Sequence, residues 1–389
     1  MSTPPIPLNL GGTCDEPFAA VRDAFVENFL AGYEVGAALA VMVRGQLVVD
    51  LWAGFADEAR TRPWQQNTMV NVYSVTKAWT AICAHVLADR GQLDLDSPVH
   101  RYWPGFADFG KDAVTVAQIL SHQAGVPAIR EGLPEGALYN WTQMVEALAR
   151  QAPWWTPGSR HGYHSMTFGY LVGEVVRRVS RRSVGRFFRE EVAEPLGVDC
   201  HIGFGPEHDQ RVAELTTPWP ATLEQKQRWA TMFADPASML SLAVMNPPVS
   251  PGATQTRAWR AAEIPAVNGH GTAHGLARLF GALASDGTIE GVRLLSPEAI
   301  RRAVAERSRG LDAVLGVENR FGLGFMLPSP ADPIALGERA FGHSGLSGAL
   351  AFGDPDMRLG FGYVTNQVRY ADGRDPRWVR LLESVYRCV

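Results

Sequence analysis

Apolar stretches that read as extended stand near both ends of this chain, separated by a long run of helix-forming and loop-rich sequence. Residues 35–43 and 46–54 flank Arg44-Gly45 and read as a β-hairpin. Residues 348–352 and 358–365 read as two more strands around the turn sequence Gly353-Asp354-Pro355-Asp356, and residues 321–327 as another. An isolated hairpin is marginal in water. Strands at both termini are therefore expected to share one sheet, with the middle of the chain inserted between its halves.

Helical periodicity fills most of the remainder. Residues 15–30 place Phe18, Val21, Phe25 and Phe29 on one face. Residues 74–90 are good helix formers that stop at Gly91, a C-terminal cap. Residues 272–283 open on Thr272 as N-cap, and residues 376–387 form a last helix. Between 91 and 264, helical pieces at 115–120, 142–150, 167–179 and 185–192 alternate with proline- and tryptophan-rich loops. The expected division is a discontinuous sheet domain, 1–85 with 265–389, and a mainly helical domain, 86–264, whose long loops wall the site.

The 389 residues can bury a sizeable core, and a net charge of −4 gives no electrostatic reason for a nucleic-acid or anionic-membrane partner. No apolar run reaches membrane-spanning length, and residues 1–13 show no basic segment leading into an apolar stretch. Cys14, Cys83, Cys200 and Cys388 have neither metal-ligand spacing nor the pattern of a disulfide framework. A cytoplasmic protein with free thiols, no metal and no cofactor is the expectation. Trp103, Trp154, Trp155 and Trp219 lie in loop-like stretches, as packing residues or as apolar pocket walls.

Of thirty-six basic residues only Lys77, Lys111 and Lys226 are lysine. Arginine stays charged in proteins, whereas a buried lysine can become neutral and act as a base. Lys77 closes Tyr73-Ser74-Val75-Thr76-Lys77 at the start of a predicted helix, so Ser74 and Lys77 share one face. A serine hydroxyl is a weak nucleophile until a base takes its proton. The positive end of the helix favours an oxyanion there and disfavours a charged lysine. Chance alone places Ser-x-x-Lys in roughly one chain in seven of this composition, so the flanking motifs must carry the reading.

The nucleophile elbow Gly-x-Ser-x-Gly is absent; Gly342-His343-Ser344-Gly345-Leu346 comes near it but ends in leucine. Tyr163, between His161 and His164, is a candidate proton carrier whose pKa two flanking cations would lower. His270 and His274 have the spacing of a helical metal pair, but the helix begins at Thr272, so His270 lies outside it and no third ligand is near. His122 is expected to pack in the loops of the helical part.

Taken together, these motifs resemble those of serine-reactive hydrolases related to class C β-lactamases and D-Ala-D-Ala peptidases, and among them the family VIII carboxylesterases. Ser74-Val75-Thr76-Lys77 is similar to their Ser-x-x-Lys, Tyr163-His164-Ser165 to their Tyr-x-Asn, and His343-Ser344-Gly345 to their third motif, Lys-Thr-Gly or His-x-Gly. Further matches are Gly91-Gln92-Leu93-Asp94-Leu95-Asp96, Leu120-Ser121-His122-Gln123-Ala124-Gly125 and Phe321-Gly322-Leu323-Gly324-Phe325. The resemblance implies an α/β (α+β) fold, β-lactamase-like, with an antiparallel sheet flanked by helices and a mainly helical insert. It makes Ser74 the nucleophile, Lys77 its base and Tyr163 the proton shuttle, with the backbone N–H groups of Ser74 and Leu346 as oxyanion hole. It places His343, Ser344, Gly345, Ser165, Gln123 and Trp155 around the substrate.

Two departures from the β-lactamase pattern bear on substrate. Ser165 stands for an asparagine that holds the substrate amide, and His343 for a lysine that anchors a carboxylate. Both weaken recognition of anionic amides and leave acylation intact. The expected activity is hydrolysis of small, short-acyl carboxylic esters, the residues from 216 to 259 walling the acyl or alcohol pocket. The alternative on the same site is a β-lactamase-like or D-Ala-D-Ala-peptidase-like amide hydrolase, or an acyltransferase.

Overall fold

The computed structural model describes residues 8–216, 222–329, 334–368 and 375–389. Its strands in chain order are β1 (Gly11–Cys14), β2 (Gly36–Val43), β3 (Gln46–Gly54), β4 (Val70–Asn71), β5 (Cys200–His201), β6 (His270–Gly271), β7 (Thr288–Ile289), β8 (Val292–Arg293), β9 (Ser308–Leu311), β10 (Glu318–Phe321), β11 (Phe341–Ser344), β12 (Leu350–Asp354) and β13 (Leu359–Thr365). The main sheet has the order β1-β3-β2-β13-β12-β11, every neighbouring pair antiparallel. β2 meets β13 from Ala37 opposite Thr365 to Val43 opposite Leu359, which joins the two ends of the chain. Arg44 and Gly45, at φ 52° and 80°, make the tight left-handed turn of the β2–β3 hairpin.

Period-two alternation divides the side chains of this sheet between two cores. Leu39, Val41, Leu350, Phe352, Phe361 and Tyr363 pack with Val21 and Phe25 of α1 (Ala19–Leu30) and with Leu381 and Val385 of the terminal helix Pro376–Cys388. Ala38, Ala40, Met42 and Ala351 face the other core, under the helix Ala273–Ala284. Gly360 and Gly362 let that helix lie close on β13, because a Cβ at either would sit 2.2 Å from the carbonyl of Ala277 or Ala273.

Helix α2 (Val75–Asp89) runs through the same core, buried on nearly every side, with Gly91 at φ 69° just beyond its end. The helices α3 (Val116–Leu120), α4 (Trp141–Arg150) and α5 (Thr167–Ser180) surround it on the helical side. Thr115 and Gln118 form a capping box for α3. Among the described residues of 86–264 the only strand is β5.

Residues 321–327 do not continue as a strand. β10 ends at Phe321, Gly322 N–H turns back to Phe325 O at 2.9 Å, and Gly324 takes φ 89° against Ala81. Met326 then bridges Gly342 at the edge of β11. Among the described residues no helix is long and apolar enough to cross a membrane.

Candidate active site

β4 and β6 pair at Val70–Gly271 and Asn71–His270, and the chain leaves β4 straight into α2. Val72 N–H donates to Gly269 O at 2.9 Å and Tyr73 N–H to Asn71 Oδ1 at 2.8 Å. These bonds hold Tyr73 at φ 44°, a left-handed conformation that a tyrosine adopts only under constraint. The turn delivers Ser74 to the head of α2, where its hydroxyl makes no capping hydrogen bond. Lys77 Nζ lies 3.0 Å from Ser74 Oγ and also donates to Ala266 O at 3.0 Å. Lys77 is buried, and that burial pushes its pKa well below the usual lysine value.

Tyr163 lies with its ring 4.8 Å from Lys77 Nζ. Its backbone N–H donates to Asp312 Oδ1 at 3.0 Å, and the same oxygen takes the N–H groups of Val314 and Leu315, each at 2.8 Å. Asp312 Oδ2 accepts from Asn319 Nδ2 at 2.9 Å, and Asn319 Oδ1 is 2.6 Å from His161 Nε2. The connection between β9 and β10 thus grips the segment that carries Tyr163. No local motif announces this: Asp312 opens a turn closed by Gly316, a signal for a turn and not for its distant target.

His122 and His164 are packing groups that burial holds in the neutral form. His122 Nδ1 accepts the N–H of His164 at 3.1 Å, and its ring lies 5.0 Å from that of Tyr163. His164 donates from Nδ1 to Gly162 O at 2.7 Å and accepts Val126 N–H at Nε2, tautomers assigned from these partners. Burial pushes the pKa of His164 down to about 4 and that of His122 well below its usual value. His164 is therefore not the cation expected beside Tyr163, and His122 packs on Tyr163 itself.

β11 brings up the third segment. His343 is buried, with Nδ1 donating to Ser344 O at 2.7 Å, and burial lowers its pKa to about 3. Gly345 presses on the lead into α2: a Cβ there would be 2.1 Å from Val72 O. Leu346 follows in a turn closed by Gly348 N–H to Gly345 O at 2.9 Å. The terminal helix backs this turn, with Trp378 Nε1 donating to Gly348 O at 2.9 Å and the buried Arg377 reaching Ser347 O at 3.5 Å.

A family model described as Beta-lactamase matches residues 22–385. The chain belongs to the Beta-lactamase family. It is 37% identical to the esterase/beta-lactamase LipL of Mycobacterium tuberculosis over 92% of this chain and 83% of that protein. A solved family VIII carboxylesterase matches at 42% identity with a TM-score of 0.90, covering 98% of this chain and 100% of its own. A penicillin-binding protein homologue from Caulobacter crescentus matches at 41% identity and 0.89, with the same coverage. The antiparallel sheet flanked by helices is the β-lactamase-like fold that the motifs implied.

Other residues singled out from the sequence occupy varied positions in this Beta-lactamase family member. Ser165 is half-buried in the turn before α5. Ser344 is half-buried, its Oγ 3.8 Å from Met326 Sδ. Gln123 is tied locally, its Oε1 accepting from Ser121 Oγ at 2.8 Å and its carbonyl taking Gly158 N–H at 2.9 Å. Trp155 packs with Ala128, Ala243 and Val314 and covers Gly162, where a Cβ would meet its ring at 2.8 Å. From the 216–259 stretch, Met239, Leu240 and Leu242 close on that cluster, whereas Trp259 is buried in the main core and does not wall a pocket. Trp103 is likewise core, against Phe106, and Trp219 lies outside the described residues. His270 sits in β6 with Nδ1 2.8 Å from Asn268 O, and His274 faces Asp50 at 3.5 Å. Among the described residues no group of three or more His, Cys, Asp or Glu is placed to hold a metal ion.

Proposed function

We propose that this chain is a carboxylesterase that passes the acyl group of a small ester through Ser74. The observation that carries the reading is a buried Lys77 amine 3.0 Å from a serine hydroxyl free of capping. Neutral Lys77 takes the Ser74 proton as Oγ attacks the carbonyl. The backbone N–H groups of Ser74 and Leu346 receive the oxyanion. Tyr163 passes a proton to the departing alkoxide, and water then releases the acid.

Esters are favoured over anionic amides by two side chains. Burial keeps His343 neutral, so it offers a substrate carboxylate none of the charge that a lysine brings. Ser165 is too short to reach as an asparagine would. Short acyl chains follow from the family resemblance. The double name of LipL and the penicillin-binding protein homologue favour a second reading, β-lactam or D-amino-acid amide hydrolysis or acyl transfer on the same serine.

The test is parallel turnover of p-nitrophenyl acetate, butyrate and octanoate, and of nitrocefin, with Ser74→Ala as blank. Fast cleavage of the short esters with little nitrocefin turnover is the expected result. Nitrocefin turnover equal to or above ester turnover favours the second reading, and ester turnover no greater than in Ser74→Ala removes the first.

A further inference from the structure

His343 stands near Tyr163 and within the electrostatic reach of Lys77, with half of its hydrogen-bonding capacity unused. Its Nδ1–H is committed to Ser344 O at 2.7 Å, which leaves the ring's lone pair on Nε2. Nε2 is fully buried and meets no donor among the described protein groups. The ring lies 6.2 Å from that of Tyr163, and Lys77 is the charged group that acts on it. Residue 343 is also held rigidly, paired with Ala351 in the main sheet. A buried acceptor without a donor is unfavourable, and one that persists beside reactive groups calls for a partner from the reaction.

The partner must be small and carry O–H. Release of an acyl group from Ser74, the reading on which this inference rests, needs one such molecule, water. Water has two O–H bonds, of which the base takes one. We propose that His343 Nε2 accepts the other and aims the water oxygen at the acyl carbonyl, selecting water over alcohols as acyl acceptor. The water oxygen bonds to the acyl carbon, one proton passes to the Lys77–Tyr163 pair and the carbonyl electron pair moves onto the oxyanion. Collapse breaks the bond from acyl carbon to Oγ, and Oγ recovers that proton. An alcohol brings a single O–H, which the base requires, so Nε2 gives it no help. A pKa held near 3 keeps Nε2 an acceptor at neutral pH.

The experiment is product partition in aqueous methanol with p-nitrophenyl butyrate, measuring methyl butyrate against butyrate. The ratio belongs to one intermediate, so any loss of active protein cancels. His343→Asn can keep the bond to Ser344 O and removes the acceptor at the Nε2 position; His343→Gln places an amide oxygen near it. The ratio should rise about tenfold in His343→Asn and return toward wild type in His343→Gln. An unchanged ratio in His343→Asn, or an equal rise in both variants, overturns the role of His343. Absence of both products above a Ser74→Ala control in the wild type overturns the acyl-enzyme reading itself.

Discussion

Asp312 accepts the backbone N–H of Tyr163 at 3.0 Å across 149 residues of sequence. The same carboxylate gathers two further backbone N–H groups and the Asn319 amide, so one buried side chain fixes where the Tyr163 segment lies relative to Lys77. Asp312→Ala strands these donors and lets the tyrosine drift. A displacement of about 1 Å costs up to a hundredfold in rate, so kcat on p-nitrophenyl acetate should fall roughly ten- to a hundredfold. Asp312→Asn keeps Oδ1 as acceptor and should retain most of that rate. Steady-state kinetics with both variants check this.

Lys77 makes activity and stability depend on pH in linked ways. Its folded pKa is depressed by burial, so between that value and the unfolded value near 10.4 the unfolded chain binds more protons. Stability from this group is therefore present above the unfolded pKa and is lost as pH falls through the window. Lys77→Met removes the dependence. It should be inactive, show a higher urea midpoint than wild type at pH 7, and lose that advantage as pH approaches about 10. In the wild type, kcat/KM should fall as acid protonates the amine.

Lys111 is a second buried lysine with a different task. Its Nζ donates to the carbonyls of Asp108, Ala149 and Gln151 at 2.8, 2.9 and 2.7 Å. Lys111→Met strands all three acceptors and should cost about 2–4 kcal/mol in urea unfolding while kcat stays within about twofold.

The scarcity of lysine was legible and so was much of its meaning: Lys77 and Lys111 are buried amines, and only Lys226 is exposed. The β2–β3 hairpin and α2 were legible because their turn and cap residues are local. β1 and β11 were not, because Gly11-Gly12-Thr13-Cys14 and Phe341-Gly342-His343-Ser344 are short edge strands with glycine inside them. Residues 321–327 misled because their apolar character belongs to a turn packed on the core, at Gly324 against Ala81. The motifs located Ser74, Lys77 and Tyr163, whose side chains the fold gathers. The Asp312–Asn319–His161 support joins segments far apart in sequence, and no single stretch encodes it.

Gly345 sets the distance between the Leu346 turn and the head of α2. A methyl group there would meet Val72 O at 2.1 Å, a backbone atom that cannot swing away. Gly345→Ala should therefore spread the two N–H groups assigned to the oxyanion and lower kcat by roughly a hundredfold or more. The affinity for a trifluoromethyl ketone, which mimics the oxyanion, should fall in parallel; an unchanged affinity would separate the turn from that role.

Ester turnover through Ser74 implies a covalent acyl group that can be trapped. Rapid acid quench of enzyme mixed with p-nitrophenyl butyrate, followed by peptide mass mapping, tests it directly. A butyryl group is expected on the peptide containing Ser74 and is expected to be absent from Ser74→Ala. Turnover without acylated peptide, or a butyryl group on another residue, would contradict it.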